Sequence, residues 1–191
     1  MLAHRERRLF TPEEYLVLEE NADSKSEYYR GEIFAMSGGS VEHGQICRNL
    51  MLLIGNALQG KSCQPLGSDV RLWLARHELF TYPDLYVVCG PLLRLPGRND
   101  TLMDATMIVE VLSPKTELYD RGEKFLFYQS LPSFREYLLV RQDQPEIERH
   151  LRGARGSWSG TKLRAGQSLQ FRSFDGTIAV DDIYRDVQLP S

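Results

Sequence analysis

Two carboxylates and one lysine stand where packing alone would not put a charge: Asp84, Glu110 and Lys124. Gathered in one cleft, they would hold a hard divalent cation by oxygen and set an ammonium beside it to stabilise developing negative charge. Asp84 follows Tyr82-Pro83 and precedes the apolar run Leu85-Tyr86-Val87-Val88. Strand alternation sets it on one face with Tyr82, Tyr86 and Val88. If Asp69–Leu74 and Leu79–Cys89 form a hairpin, a register closing Leu74 against Leu79 puts Asp69 directly opposite Asp84. Opposed like charges destabilise a ladder, and a cation between them reverses the sign. A slip of a single residue would void that pairing.

Glu110 lies within Ile108-Val109-Glu110-Val111-Leu112. An ionised carboxylate buried in such a strand costs several kcal/mol unless it is paired or bound to metal. An Arg or Lys partner, or a strand end open to water near Pro114, would also explain it. Lys124 falls in the first turn of a helix opened by Asp120-Arg121-Gly122-Glu123, where the macrodipole disfavours a cation. Asp120 and Glu123, at capping-box spacing, could offset that, and a solvated surface lysine is the plain alternative.

The elements that must position these groups are legible as pattern. Thr11-Pro12-Glu13-Glu14 opens a helix ending near Glu20. Strands at Glu27–Arg30 and Glu32–Met36 meet in a tight turn at Gly31. Ser37-Gly38-Gly39-Ser40 precedes a helix over about 41–58, with Ile46, Leu50, Leu53 and Ile54 at helical spacing. After the Asp69–Cys89 hairpin comes a loop over 90–104, then Met107–Leu112 as a central strand covered on both faces. Phe125, Tyr128 and Leu131 face inward from the next helix, and Arg135–Val140 returns to the sheet. About four short strands over 145–180 and a helical turn near Asp181–Tyr184 complete an α/β fold with a mixed, twisted β-sheet.

Length and composition bound the rest. At 191 residues, 42% of them hydrophobic, the chain suits one domain over residues 10–191 after a loose tail over 1–9. No apolar run spans a bilayer, and the charged MLAHRERRLF start does not read as a signal peptide, so a cytoplasmic protein without membrane contact is expected. Cys47, Cys63 and Cys89 are odd in number and widely spaced; a disulfide framework or zinc cluster is not expected, and buried small hydrophobes are. The net charge of −3 lacks the basic surface of a protein that grips phosphates broadly. Any nucleic-acid contact must be local or supported by a bound cation. Arg149, His150, Arg152 and Arg155 could touch a backbone or form a solvated strand face, and the second reading is preferred. Leu79, Phe80, Tyr82, Tyr86 and the 91–96 loop are apolar enough to suggest a partner surface, and a homodimer is one form it could take.

Tyr82-Pro83-Asp84 and Glu110 resemble the two acidic halves of a PD-(D/E)XK nuclease motif. More closely, the chain resembles the Uma-two family of restriction-endonuclease-like proteins. The likeness rests on Ser26–Ile33, Glu42-His43, Ser68-Asp69-Val70-Arg71, Tyr82-Pro83-Asp84, Ile108–Pro114, Asp120–Lys124 and Leu131–Tyr137, in order, over roughly residues 10–185. Each segment is weakly specific; the ordered set is strong. The resemblance implies a restriction-endonuclease-like core with extra C-terminal strands, and metal-dependent hydrolysis of phosphodiesters, of DNA before RNA. Asp84, Glu110 and Asp69 would hold Mg²⁺ or Mn²⁺, and Lys124 would orient water or stabilise charge on the phosphate. The lysine of the standard motif would stand two residues after Glu110, at Leu112, so it must come from elsewhere: Lys124, or Lys115 on the following loop. Glu27, His43 and Tyr128 are implied as lining the same cleft. A decayed, non-catalytic binding module on the same fold is the alternative, separated by whether the Lys124 ammonium reaches the two acids.

Overall fold

Thr11 caps the first helix as its hydroxyl chemistry requires. In the computed structural model, which describes residues 8–189, its Oγ accepts the Glu14 N–H at 3.1 Å and the Glu14 carboxylate accepts the Thr11 N–H at 2.9 Å. These bonds start α1 (Pro12–Glu20), with Pro12 at a position where no N–H is needed. Of the tail expected over 1–9, residues 1–7 lie outside the described residues. β1 (Ser26–Tyr29) and β2 (Glu32–Ala35) form a hairpin through Arg30 and Gly31, whose φ values of 46° and 92° are those of a two-residue turn matched to strand twist. A Cβ on Gly31 would also lie 3.0 Å from that of Leu9.

Ser40 caps α2 (Val41–Ala57), its Oγ accepting the His43 N–H at 3.2 Å. Ile46, Leu50 and Ile54 form its buried stripe. The strands β3 (Cys63–Gly67), β4 (Arg71–Leu74), β5 (Leu79–Thr81), β6 (Leu85–Cys89), β7 (Thr101–Leu102) and β8 (Met107–Leu112) follow. A helical run comes next: α3 (Glu117–Tyr119), a π-helical turn over Asp120–Lys124, and α4 (Phe125–Tyr128). β9 (Glu136–Arg141), β10 (Glu146–Arg152), β11 (Trp158–Arg164), β12 (Ser168–Gln170), β13 (Thr177–Ala179) and α5 (Val180–Ile183) complete the chain, giving the four extra strands near the C-terminus that the turn pattern predicts.

The strands divide over two main sheets. One runs β2-β1-β5-β4-β7 and the other β11-β10-β9-β8-β6-β3, with β12-β13 as a separate ribbon. Both main sheets are mixed, since β4–β7 and β8–β9 are parallel and the other pairs antiparallel. Every residue of β8 is buried, as expected of a central strand covered on both faces. Ile46, Leu50 and Ile54 of α2 cover one face with Val109, Val111 and Val140 beneath them. Tyr128, Phe134 and Tyr137 pack with Tyr86, Ile108 and Leu112 on the other.

Five expectations need correction. Leu79–Cys89 is not one strand but two, in different sheets, because Pro83 has no N–H to continue a ladder. The β4–β5 register does close Leu74 against Leu79, but the ladder ends at Leu72 and Thr81. Asp69 therefore never faces Asp84; its side chain is 94% exposed and ion-paired with Lys25. Lys124 is not in a first turn, because the helical run begins at Glu117; the macrodipole objection lapses. Leu79, Phe80, Tyr82 and Tyr86 are buried inside the molecule, so they offer no partner surface, and within the 91–96 loop Leu92 packs on the cluster that holds Tyr86 and Leu95 on Tyr15, Tyr28 and Phe80, while Leu93 stays exposed. Finally, Cys63 and Cys89 stand opposite one another on β3 and β6 and are disulfide-bonded. A spacing of 26 residues hides that adjacency until β3 is recognised as a strand.

Candidate active site

The break at Pro83 delivers Asp84 to the start of β6. Continued by one step beyond Leu85 opposite Val109, the β6–β8 register sets Asp84 opposite Glu110. The two acids are thus cross-strand neighbours, in the second sheet rather than the first. The Asp84 backbone N–H donates to Glu110 Oε2 at 3.2 Å, and the Val111 N–H donates to Asp84 Oδ2 at 2.8 Å. Asp84 Oδ1 meets His43 Nε2 at 3.1 Å. His43 reaches it from the first turn of α2, held by the Ser40 cap and by Gly39, where a Cβ would come within 2.8 Å of His43 Cδ2.

Lys124 sits at the centre of the acids. Its Nζ lies 3.2 Å from Glu110 Oε1, 3.3 Å from Glu27 Oε1 and 3.5 Å from Asp120 Oδ1. The π turn keeps Asp120 and Lys124 both turned inward and buried. Such single wide turns recur where a helix must aim side chains into a site. Glu27 comes from β1 and accepts a hydrogen bond from the Thr81 hydroxyl. Tyr128 Oη donates to Glu110 Oε1 at 2.7 Å. Tyr137 Oη donates to the Asp120 carbonyl oxygen at 3.0 Å, fixing the π turn against β9.

Burial sets the protonation landscape. Removal from water pushes the Glu110 carboxyl up to about 8, Lys124 pulls it back, and Asp120 and Asp84 add to the rise. Asp120 is raised mainly by the same burial. For Lys124 burial acts downward, but Glu110, Glu27 and Asp120 outweigh it and hold the ammonium charged. The hydrogen bond to Asp84, then the Cys47 side chain, push His43 up to about 10 against the effect of burial. Burial keeps the Tyr128 phenol neutral, a hydrogen-bond donor to Glu110.

The acids open onto a cleft of about 310 Å³. The Gly38–Gly39 segment and His43 wall it on one side, Pro114 and Lys115 on the other, with Asp84, Glu110 and Lys124 on its floor. Lys115 is exposed on the rim, so it touches the cleft but not the acid pair directly. Of the residues singled out in the sequence, Asp84, Glu110, Lys124 and His43 line the cleft, Lys115 borders it, Glu27 and Tyr128 touch Lys124 and Glu110 from behind without lining it, and Asp69 stays apart. Asp120 and Cys47 are the residues that sequence reasoning missed. Asp120 reads as a cap until the helix is seen to begin earlier, and Cys47 reads as a small hydrophobe although it stands one helical turn after His43.

The donor chemistry fits a divalent cation. The Asp84 carboxylate is 22% exposed, facing the cleft, and the four carboxylates of Asp84, Glu110, Glu27 and Asp120 outnumber the cationic groups Lys124 and His43. Arg149 and His150 leave this site alone: Arg149 donates to the Gln170 carbonyl oxygen, and the His150 ring packs on Phe125.

The chain has relatives of known sequence and structure. It is 38% identical to "Uncharacterized protein slr1290" of Synechocystis sp. over 188 residues, covering 97% of this chain and 98% of that one. It is 32% identical to "Uncharacterized protein sll1609" of the same organism over 156 residues, covering 82% and 88%. Among solved structures, a "putative nuclease belonging to DUF820" from Anabaena variabilis superposes with a TM-score of 0.76 at 16% identity, covering 92% of this chain and 98% of that one, which shows the shared fold. No described helix is long and apolar enough to cross a membrane. The Uma2 family, described as "Putative restriction endonuclease", matches residues 12–180, and the chain belongs to that family.

Proposed function

We propose that this chain is a metal-dependent endonuclease that hydrolyses phosphodiester bonds of DNA. One observation carries the reading: Lys124, 7% exposed, brings its ammonium to Glu110 at 3.2 Å, while the Asp84 N–H holds the other oxygen of the same carboxylate. The decayed-module alternative expects Lys124 to turn to solvent, and instead it faces the acid pair. Family membership supports the hydrolytic class, and the family description supports DNA as the polymer.

Asp84 and Glu110 are the residues that would hold Mg²⁺ or Mn²⁺ by oxygen. Such an ion supplies an acidified water and neutralises phosphate charge, which also answers the net charge of −3. The other roles fall to the chain. His43 and the Val111 N–H occupy opposite oxygens of Asp84 and fix its plane. Tyr128 does the same for Glu110. Lys124, desolvated and charged, stabilises negative charge as it builds on the phosphate and orients the attacking water. Lys115, on the rim of the cleft, would meet a neighbouring phosphate.

The test is cleavage by the purified protein, with Mg²⁺ or Mn²⁺, of supercoiled plasmid, single-stranded and branched DNA, and RNA. Cation-dependent cutting of DNA that stops on chelation is expected. No cleavage of any substrate, or cleavage indifferent to chelation, would overturn the reading.

A further inference from the structure

The acid pair is not the only donor set beside the cleft, which His43 and Asp84 line and Cys47 adjoins through them. His43 and Cys47 lie one turn apart on the same face of α2, the spacing at which helical side chains meet. A ring nitrogen of His43, the Cys47 sulfur and an Asp84 oxygen all lie within 4.8 Å of one another. Nitrogen and sulfur donors around a tetrahedral zinc-class ion stand roughly 3.5 Å apart, given bonds of about 2.0–2.3 Å, so small side-chain rotations would close the set. His43 Nδ1 is buried and has no hydrogen-bond partner among the described residues. With Cys63 and Cys89 bonded to each other, Cys47 is the free thiol of the chain. The backbone is already fixed for the purpose: the Ser40 cap and the close approach of Gly39 hold the His43 ring toward Asp84.

We propose that His43, Cys47 and Asp84 form a centre for a thiophilic transition-metal ion of the zinc class, with Cys47 bound as thiolate, and that this centre prefers such an ion to Mg²⁺. Mg²⁺ takes oxygen ligands and keeps its waters, whereas a thiolate and an imidazole together select later first-row ions. Three protein ligands leave a further position toward the cleft, the arrangement of an open rather than a purely structural zinc site. Binding displaces the protons of the His43 imidazolium and the Cys47 thiol to solvent, so the ion must compete with them. The assignment rests on the proposed active-site reading only in sharing Asp84, and it is tested by binding rather than by cleavage.

The probe is Co²⁺, titrated anaerobically into the full-length protein without reductant, so that the Cys63–Cys89 bond stays closed. Absorption should show an intense thiolate-to-cobalt charge-transfer band saturating at one ion per chain, bleached by Zn²⁺ and unaffected by excess Mg²⁺. Cys47→Ser should lose the band and bind at least roughly tenfold more weakly, since loss of even a ligand's supporting hydrogen bond costs about 10–100-fold. Cys47→Asp should retain the ion without the band, which separates lost ligation from lost folding. A band that persists in Cys47→Ser, cobalt binding without any band, or displacement by Mg²⁺ would overturn the proposal while leaving the nuclease reading intact. A normal band in a protein that cuts nothing would do the reverse.

Discussion

The Glu110 carboxyl is held in a medium that resists its ionisation, and that has a measurable consequence. Its ordinary pKa lies near 4.5 and burial pushes it up to about 8 in the folded chain. Between those values the folded state binds the extra proton, so Glu110 contributes stability below about pH 4.5 that is lost as pH rises through about 8. In chelator, urea unfolding of the wild type should weaken across that window relative to Glu110→Gln, with a limiting slope of about 1.4 kcal/mol per pH unit. Parallel curves for the two proteins would contradict it. Lys124→Met should destabilise by about 3–5 kcal/mol, because it strands the buried acids without a counter-charge. Thermal or urea melts of Lys124→Met against Lys115→Ala, whose side chain is exposed, check this; equal stabilities would refute it. At this scale the sequence exposes what polarity alone can expose. Glu110 stands out among Ile108, Val109, Val111 and Leu112, and Lys124 stands out less because the sequence shows a cap at Asp120 and not the earlier helix start at Glu117. Asp120 and Cys47 do not stand out, since an acid near a helix start and a cysteine in an apolar stripe have ordinary structural uses.

Elements carry these residues to one place by two breaks in regularity. Pro83 forces the chain from one sheet to the other, and the register of β6 on β8 then pairs Asp84 with Glu110. The sequence shows the proline and the apolar runs on each side, but not that they enter different sheets, because register and sheet membership depend on long-range partners. The same limit hid β3 and β7, whose Cys-Gln-Pro-Leu-Gly and Thr-Leu sequences have no alternation to read. By contrast α1, the β1–β2 turn and β8 were legible, since caps, positive-φ turns and fully apolar strands are local signals. The second break is Gly38-Gly39 before α2. Gly39→Ala would force its new Cβ against the near side of the His43 ring rather than a flexible tip. The helix cap through Ser40 should survive, so far-UV circular dichroism should stay native while metal affinity and cleavage fall together. Wild-type affinity in Gly39→Ala would show that the ring has room to spare.

Across the whole molecule the site and the covalent staple lie at opposite ends of one strand. Asp84 precedes β6 and Cys89 ends it, bonded to Cys63 across a separation of 26 residues. Closing a loop of that length restricts the unfolded chain by an amount worth about 3.5 kcal/mol. Cys63→Ser with Cys89→Ser should therefore lower the urea midpoint while leaving the rate of cleavage at saturating metal near that of the wild type; a large loss of rate without loss of stability would mean the bond sets the site's geometry instead. On the proposed nuclease reading, the net charge of −3 leaves a bound cation, rather than a basic surface, as the means of approaching a polyanion. The most direct test of the account is single-turnover nicking of plasmid DNA by variants compared at one saturating metal concentration. Asp84→Ala, Glu110→Gln and Lys124→Met should each lose about 10²-fold or more, as when a group that stabilises transition-state charge is removed. Asp69→Ala, whose exposed side chain pairs with Lys25 and not with the acid pair, should cut as the wild type does. Wild-type rates in Asp84→Ala or Glu110→Gln, or a loss in Asp69→Ala as large as theirs, would contradict the account.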